Sequence, residues 1–253
     1  MPIPKALTSR INSLKSGIGE AADKYFLGEG WKVVKEGIEA GWLPRWLILS
    51  GESLERYKEI FSLISSSVET YVINSKEMEK LSTLETPPGI MGIFPRKDFA
   101  FPSGDIIVLI DGVQDPGNLG TIIRTADAVN ASSVIVLKNS VDPYNHKVVR
   151  GSMGSIFHIP VFKWDRVEDL LTRIEKRYYI VGTSSHSGDL FYNFKWRFPL
   201  AVIFGNEGRG LSEEIEKICD ATVKIPILGK AESLNVAVAC GVILYEIIRN
   251  MIK

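Results

Sequence analysis

The chain has 253 residues, of which 45% are hydrophobic and 24% charged, the make-up of an ordinary globular protein with a real core. Thirty lysines and arginines balance thirty aspartates and glutamates, which excludes a broadly basic, non-specific nucleic-acid binder but leaves room for local basic patches. Two distant cysteines without companion histidines exclude a disulfide framework and a metal site, and no signal sequence or apolar run of spanning length is present. A cytoplasmic, non-membrane setting is therefore expected.

The first hundred residues alternate short helices and strands. Residues 7–23 read as a modest helix whose only basic side chains are Arg10 and Lys15. Tyr25, Phe26 and Leu27 form a strand ending at Gly28-Glu29-Gly30, and residues 31–40 an amphipathic helix closed by Gly41. Strands follow at 46–49, 71–73 and 89–94, with helices at 54–64 and, capped by Ser75, through Leu81. This pattern gives a small α/β domain over residues 1–95, joined by a linker at 96–104 to a second domain over 105–253. No nucleophile, metal or phosphate motif stands in the first domain.

Beyond residue 104 the rhythm changes. Apolar runs at 106–110, 134–137, 159–162, 178–181, 200–204 and 223–227 alternate mostly with helical patterns. Such runs suit strands buried on both faces of a mainly parallel sheet, whose ligand sites lie beyond the strand carboxyl ends. The loop after the first run leads into a helix at 119–129, with Asn118 a plausible cap and Arg124 opposite the apolar stripe, at ~100° per residue. The segment around Lys147, Arg150 and Ser152 combines cations, a hydroxyl and glycines suited to phosphate contact. Thr183 and its small neighbours offer open backbone to a ligand. None of the three histidines has a partner at a recognisable spacing. Gly205-Asn206-Glu207-Gly208-Arg209-Gly210 has its glycines spaced unlike a dinucleotide fingerprint and follows the wrong strand for one, so a nicotinamide oxidoreductase is disfavoured. Finally, a strand ending at residues 226–228 leads through a loop to a helix from about Ser233, apolar nearly all round. Ser233 and Asn235 fit helix capping or a ligand rim equally well at this point.

Three stretches, Asp115-Pro-Gly-Asn-Leu-Gly-Thr-Ile-Ile-Arg-Thr-Ala, Phe204-Gly-Asn-Glu-Gly-Arg-Gly-Leu-Ser and Ile225-Pro-Ile-Leu-Gly-Lys-Ala-Glu-Ser-Leu-Asn-Val-Ala-Val-Ala, stand in this order. Together they resemble the three motifs of the SpoU (TrmH-type) branch of the SPOUT methyltransferases, over about residues 105–250. The first domain is similar to the small, ribosomal-protein-like substrate-binding domain of many ribosomal-RNA members. The resemblance implies a trefoil-knotted α/β domain, a homodimer through its last helix, S-adenosylmethionine as cofactor and RNA as partner. It implies cofactor contacts at Thr183, Gly205, Ile225 and Leu234, and catalytic roles for Asn118, Arg124, Glu207, Ser233 and Asn235. Arg10, Lys147, Arg150 and Ser152 become candidate RNA contacts.

A ribose hydroxyl is a poor nucleophile and needs a positioned proton acceptor. Arginine is a poor base in water, so the family's hypothesis has an RNA phosphate orient Arg124, contributed across the dimer, with proton acceptance concerted with transfer. Large-subunit ribosomal RNA is the leading substrate. A transfer-RNA enzyme and a non-catalytic assembly protein are the alternatives.

Overall fold

The computed structural model describes residues 3–252. In chain order the elements are α1 (Lys5–Ser16), α2 (Glu20–Lys24), β1 (Tyr25–Glu29), α3 (Trp31–Glu39), β2 (Trp46–Ser50), α4 (Ile60–Leu63), β3 (Glu69–Ile73), α5 (Ser75–Leu81) and β4 (Ile90–Pro95). They continue as β5 (Ile106–Ile110), α6 (Pro116–Ala128), β6 (Ser133–Leu137), α7 (His146–Gly151), β7 (Val161–Trp164), α8 (Val167–Ile174), β8 (Tyr179–Ser184) and β9 (Asp189–Leu190). The last are β10 (Leu200–Phe204), α9 (Glu213–Glu216), β11 (Ala221–Lys224) and α10 (Val236–Met251).

Two compact units result. One holds the described residues up to Asp98 together with Tyr144–His158, and the other holds Phe99–Pro143 and the described residues from Ile159 onward. Residues 144–158, assigned from the sequence to the second domain, pack with the first unit, where α7 lies on β1.

In the first unit, four strands in the order β1-β4-β2-β3 form a mixed sheet, parallel only between β2 and β3. Successive side chains point to opposite faces, so β1 feeds two cores. Leu27 joins Leu7, Ile11, Leu14, Met78 and Leu81 on one face. Phe26, on the other, stacks on Phe94 at 5.6 Å and meets Phe157 at 5.7 Å. Three sequence expectations are revised. The helix at 7–23 is two helices, because Gly17 and Gly19 take φ of 69° and 95° and break it. Residues 54–64 are mostly turns, tied by the Tyr57 hydroxyl to the Pro88 carbonyl at 2.9 Å, and only α4 is helical. Asn74, not Ser75, caps α5, in a capping box with Glu77.

The second unit is built on seven parallel strands in the order β7-β6-β5-β10-β8-β11-β9. All five residues of β5, of β6 and of β10 are buried, as the continuous apolar runs require. One core joins Ile107, Leu109, Ala201 and Ile203 to Leu170 and Ile174 of α8 and Ile215 of α9. The expected strand at 223–227 stops at Lys224, since β9 pairs only with Val223 and Lys224 and Pro226 has no N–H to donate. The last helix starts three residues later than expected. Its buried side carries Val236, Cys240, Ile243, Leu244 and Ile247, but Val238, Val242 and Tyr245 are exposed, so it is not buried all round. No helix among the described residues is long and apolar enough to cross a membrane.

Candidate active site

The second unit's chain runs outward from β5 through β6 to β7, then returns on the far side as β8, with β10 between β5 and β8. The strand order thus reverses beside β5. In open parallel sheets the crevice outside the carboxyl ends at such a reversal is where ligands bind.

A cleft of about 320 Å³ opens just to one side of it, beyond the carboxyl ends of β10, β8 and β11. Thr183, Gly205, Ile225 and Leu234 all line it, as do Glu207 and Ser233. Its walls combine apolar side chains, among them Leu211, Ile227 and Ile243, with the exposed backbone of two loops. That mixture suits a flat heteroaromatic base held by main-chain hydrogen bonds and a polar tail, and so fits S-adenosylmethionine. The Thr183 hydroxyl donates to the Ile203 carbonyl at 2.9 Å, and its backbone lies within β8, in register with Val223 of β11. At Gly205, a Cβ would stand 2.4 Å from both the carbonyl carbon and oxygen of Gly210. The glycine is therefore demanded by the turn it begins.

On the rim, three residues far apart in sequence are joined. Asn118 Nδ2 donates to Glu207 Oε1 at 2.6 Å, and Asn235 Nδ2 donates to Asn118 Oδ1 at 2.8 Å. Asn235 Oδ1 in turn accepts the Ala237 and Val238 N–H groups at 2.9 and 3.3 Å, capping α10. Two expectations about caps are thereby corrected. Asp115, not Asn118, caps α6, accepting the Asn118 N–H at 2.8 Å, and Pro116 follows it in the first turn. Ser233 caps nothing: α10 begins beyond it, and it stands exposed at the cleft.

Arg124 is exposed on α6 and makes no hydrogen bond or ion pair among the described residues. No hydrogen bond or ion pair joins it to the rim trio among the described residues. Of the candidate RNA contacts, all four lie in the first unit. Lys147 is exposed and Arg150 half-buried on α7, while Arg10 lays its guanidinium over the Trp46 ring at 4.6 Å. Ser152 is corrected: it is completely buried and its hydroxyl donates to the Val149 carbonyl at 2.8 Å, so it cannot touch RNA.

Cys219, beside the site, is no nucleophile. Burial, then the carboxylates of Asp220, Glu216 and Asp111, push its thiol up to about 11. Among the described residues no group of three or more His, Cys, Asp and Glu side chains is placed to hold a metal ion. Sequence reasoning gave no role to Asp111 and Asn206. Asp111 Oδ2 accepts the Ser212 N–H at 2.6 Å, and Asn206 Nδ2 donates to the Gly112 carbonyl at 2.8 Å. Their one local signal is position: Asp111 directly follows the last residue of β5, and Asn206 stands two residues past the last of β10.

Residues 105–245 match the model of the SpoU rRNA methylase family, and residues 11–92 match that of the MRM3-like substrate-binding domain. The chain is 32% identical to a 23S rRNA (guanosine(2553)-2'-O)-methyltransferase of Bacillus subtilis, over 88% of each chain. It is also 32% identical to a 23S rRNA (uridine(2479)-2'-O)-methyltransferase of Streptomyces viridochromogenes, over 90% of this chain and 84% of that one. The crystal structure of the SpoU methyltransferase AviRb from Streptomyces viridochromogenes, in complex with the cofactor AdoMet, superimposes with a TM-score of 0.90 at 29% identity, covering 99% of both chains. A cleft beyond the carboxyl ends of β10, β8 and β11, a carboxylate–amide rim and two matched family models lead to one assignment: this chain belongs to the SpoU rRNA methylase family.

Proposed function

We propose that this protein transfers a methyl group from S-adenosylmethionine to a ribose 2'-hydroxyl of large-subunit ribosomal RNA, as a cytoplasmic homodimer with a knotted second unit. The observation that carries the reading is the hydrogen-bonded run Asn235–Asn118–Glu207 on the rim of the cleft lined by Thr183, Gly205, Ile225 and Leu234. The two 23S-specific relatives, matched over nearly the whole chain, support ribosomal RNA as the substrate.

In this reading Thr183, Gly205, Ile225 and Leu234 hold the cofactor, largely through backbone groups at Gly205, Ile225 and Leu234. Bound there, S-adenosylmethionine supplies a methyl group on a sulfonium sulfur, which leaves as a thioether when the ribose oxygen attacks. The donor Asn118 Nδ2 fixes one oxygen of Glu207. Because Asn235 occupies the Asn118 carbonyl oxygen, the Asn118 amide is fixed the right way round to do this. Arg124, exposed and unpaired on α6, takes the hydroxyl proton in the partner's site, oriented by RNA phosphate. Alignment of hydroxyl and methyl supplies much of the rate.

The dimer is supported by Val238, Val242 and Tyr245, exposed at a spacing of four and three on α10, a stripe that a second copy would cover. Arg10, Lys147 and Arg150 make the first unit, the described residues up to Asp98 with Tyr144–His158, the RNA-docking lobe. Incubation of the protein with methyl-labelled S-adenosylmethionine and both ribosomal and transfer RNA tests the reading. Label in ribose 2'-O-methyl groups is the expected result, and label confined to bases or to transfer RNA would refute it.

A further inference from the structure

Glu207 and Asn118 meet across 89 positions of chain, Glu207 in the turn after β10 and Asn118 in the first turn of α6, which the loop after β5 launches. Two reciprocal side chain-to-backbone ties join those loops. Asn206, which starts the turn after β10, donates Nδ2 to the Gly112 carbonyl in the loop after β5. Asp111, which starts the loop after β5, accepts the N–H of Ser212 at the far end of the turn. The turn itself is closed by Asn206: its Oδ1 accepts the N–H groups of Gly208 at 3.0 Å and Arg209 at 3.1 Å. Its backbone N–H and C=O both bond Gly210, at 2.8 and 2.9 Å.

We propose that Asn206 and Asp111 are positioning residues for methyl transfer, and that the two ends of the Asn206 amide do separable work. The oxygen shapes the turn that carries Gly205 and Glu207 and so forms the cofactor cleft. The nitrogen ties that turn to the loop that launches α6, and so sets the register between the cofactor side and Asn118. Asp111 holds the opposite end of the same register. The proposal rests on the methyltransferase reading. The physical reason for a large effect is that transfer demands near-collinear alignment, where a misplacement of about 1 Å costs roughly a hundredfold.

The test is a set of variants measured for cofactor affinity by calorimetry and for kcat on ribosomal RNA. Asn206→Asp keeps an oxygen for Gly208 and Arg209 but places a carboxylate oxygen against the Gly112 carbonyl. It is expected to keep cofactor affinity within about threefold while kcat falls about thirtyfold. Asn206→Ala removes both ends and is expected to weaken cofactor binding about tenfold as well. Asp111→Asn, which retains an acceptor for Ser212, is expected to restore most of the kcat that Asp111→Ala loses. A merely structural role would instead lower thermal stability, affinity and kcat in parallel in all four. Asn206→Asp with unchanged kcat, or with affinity lost in proportion to kcat, would overturn the proposal.

Hydrogen exchange reads the amide's oxygen end without turnover. The Gly208 and Arg209 amides should stay protected in Asn206→Asp and lose protection about tenfold or more in Asn206→Ala. Retained protection in Asn206→Ala overturns the proposal whatever the RNA assay gives. A parent protein that binds cofactor and shows this exchange pattern, yet methylates no RNA, refutes the methyltransferase reading instead.

Discussion

Asn118 Nδ2 stands 2.6 Å from Glu207 Oε1, joining the first turn of α6 to the turn after β10 across the reversal point of the sheet. A hydrogen bond to a carboxylate is roughly twice as strong as a neutral one, so the pair fixes both side chains at the cleft rim. Asn118→Ala should leave cofactor affinity within about threefold and lower kcat about a hundredfold, the loss typical of a removed preorganised donor. Single-turnover kinetics at saturating cofactor, beside calorimetry, measures the split. Equal losses in both would assign Asn118 to cofactor binding.

The two small polar residues before α10 separate cleanly. Asn235 accepts two N–H groups of the helix, whereas Ser233 accepts none. Asn235→Ala should therefore cost about 1 kcal/mol, a fall of roughly 2–4 °C in melting temperature. Ser233→Ala should leave the melting temperature within about 1 °C, as expected of a surface change. Differential scanning calorimetry of the two variants checks this, and a lower midpoint for Ser233→Ala would contradict the capping assignment.

The cysteines predict an alkaline weakness. Burial raises the Cys219 thiol from an ordinary 9.0 to about 11 and pushes Cys240, fully buried on α10, up as well. The native state thus holds protons that the unfolded chain releases, so this stabilisation is complete below pH 9.0 and is lost as pH rises to about 11. At pH 8 only about one Cys219 thiol in a thousand is ionised. A disulfide-exchange reagent at pH 8 should find no fast thiol in the native protein and both after denaturation. Rapid native labelling would refute the environment described for Cys219.

The exposed stripe on α10 predicts the assembly. Val242→Glu places a charge in the middle of Val238, Val242 and Tyr245, and should yield a monomer by light scattering. Because Arg124 makes no hydrogen bond or ion pair with the rim trio of its own chain, that monomer should bind cofactor yet lose nearly all turnover. A fully active monomer would show that Arg124 acts within one chain or not at all.

The strand framework was legible because residues 106–110 and 200–204 are continuous apolar runs, and a parallel sheet buried on both faces requires them. The caps were not. At each of three helix starts two polar residues compete, Asn74 with Ser75, Asp115 with Asn118, and Ser233 with Asn235. Tertiary bonding settles at least one of them: Asn118 is free to bind Glu207 because Asp115 takes the cap. The packing of residues 144–158 with the first unit was also hidden, since Tyr144 and Phe157 meet Phe26 across more than a hundred positions and leave no local period. The cleft residues Gly205, Ile225 and Leu234 were legible only through the three motifs taken together. The ties of Asp111 and Asn206 needed the coordinates, because each pairs with a backbone group rather than a recognisable side chain.

The most direct test is a map of ribose 2'-O-methylation across ribosomal and transfer RNA from cells carrying the natural gene or Arg124→Ala. Loss of methylation at a discrete large-subunit ribose in the variant, with stable protein that still binds S-adenosylmethionine, is the predicted result. An unchanged map would contradict the account.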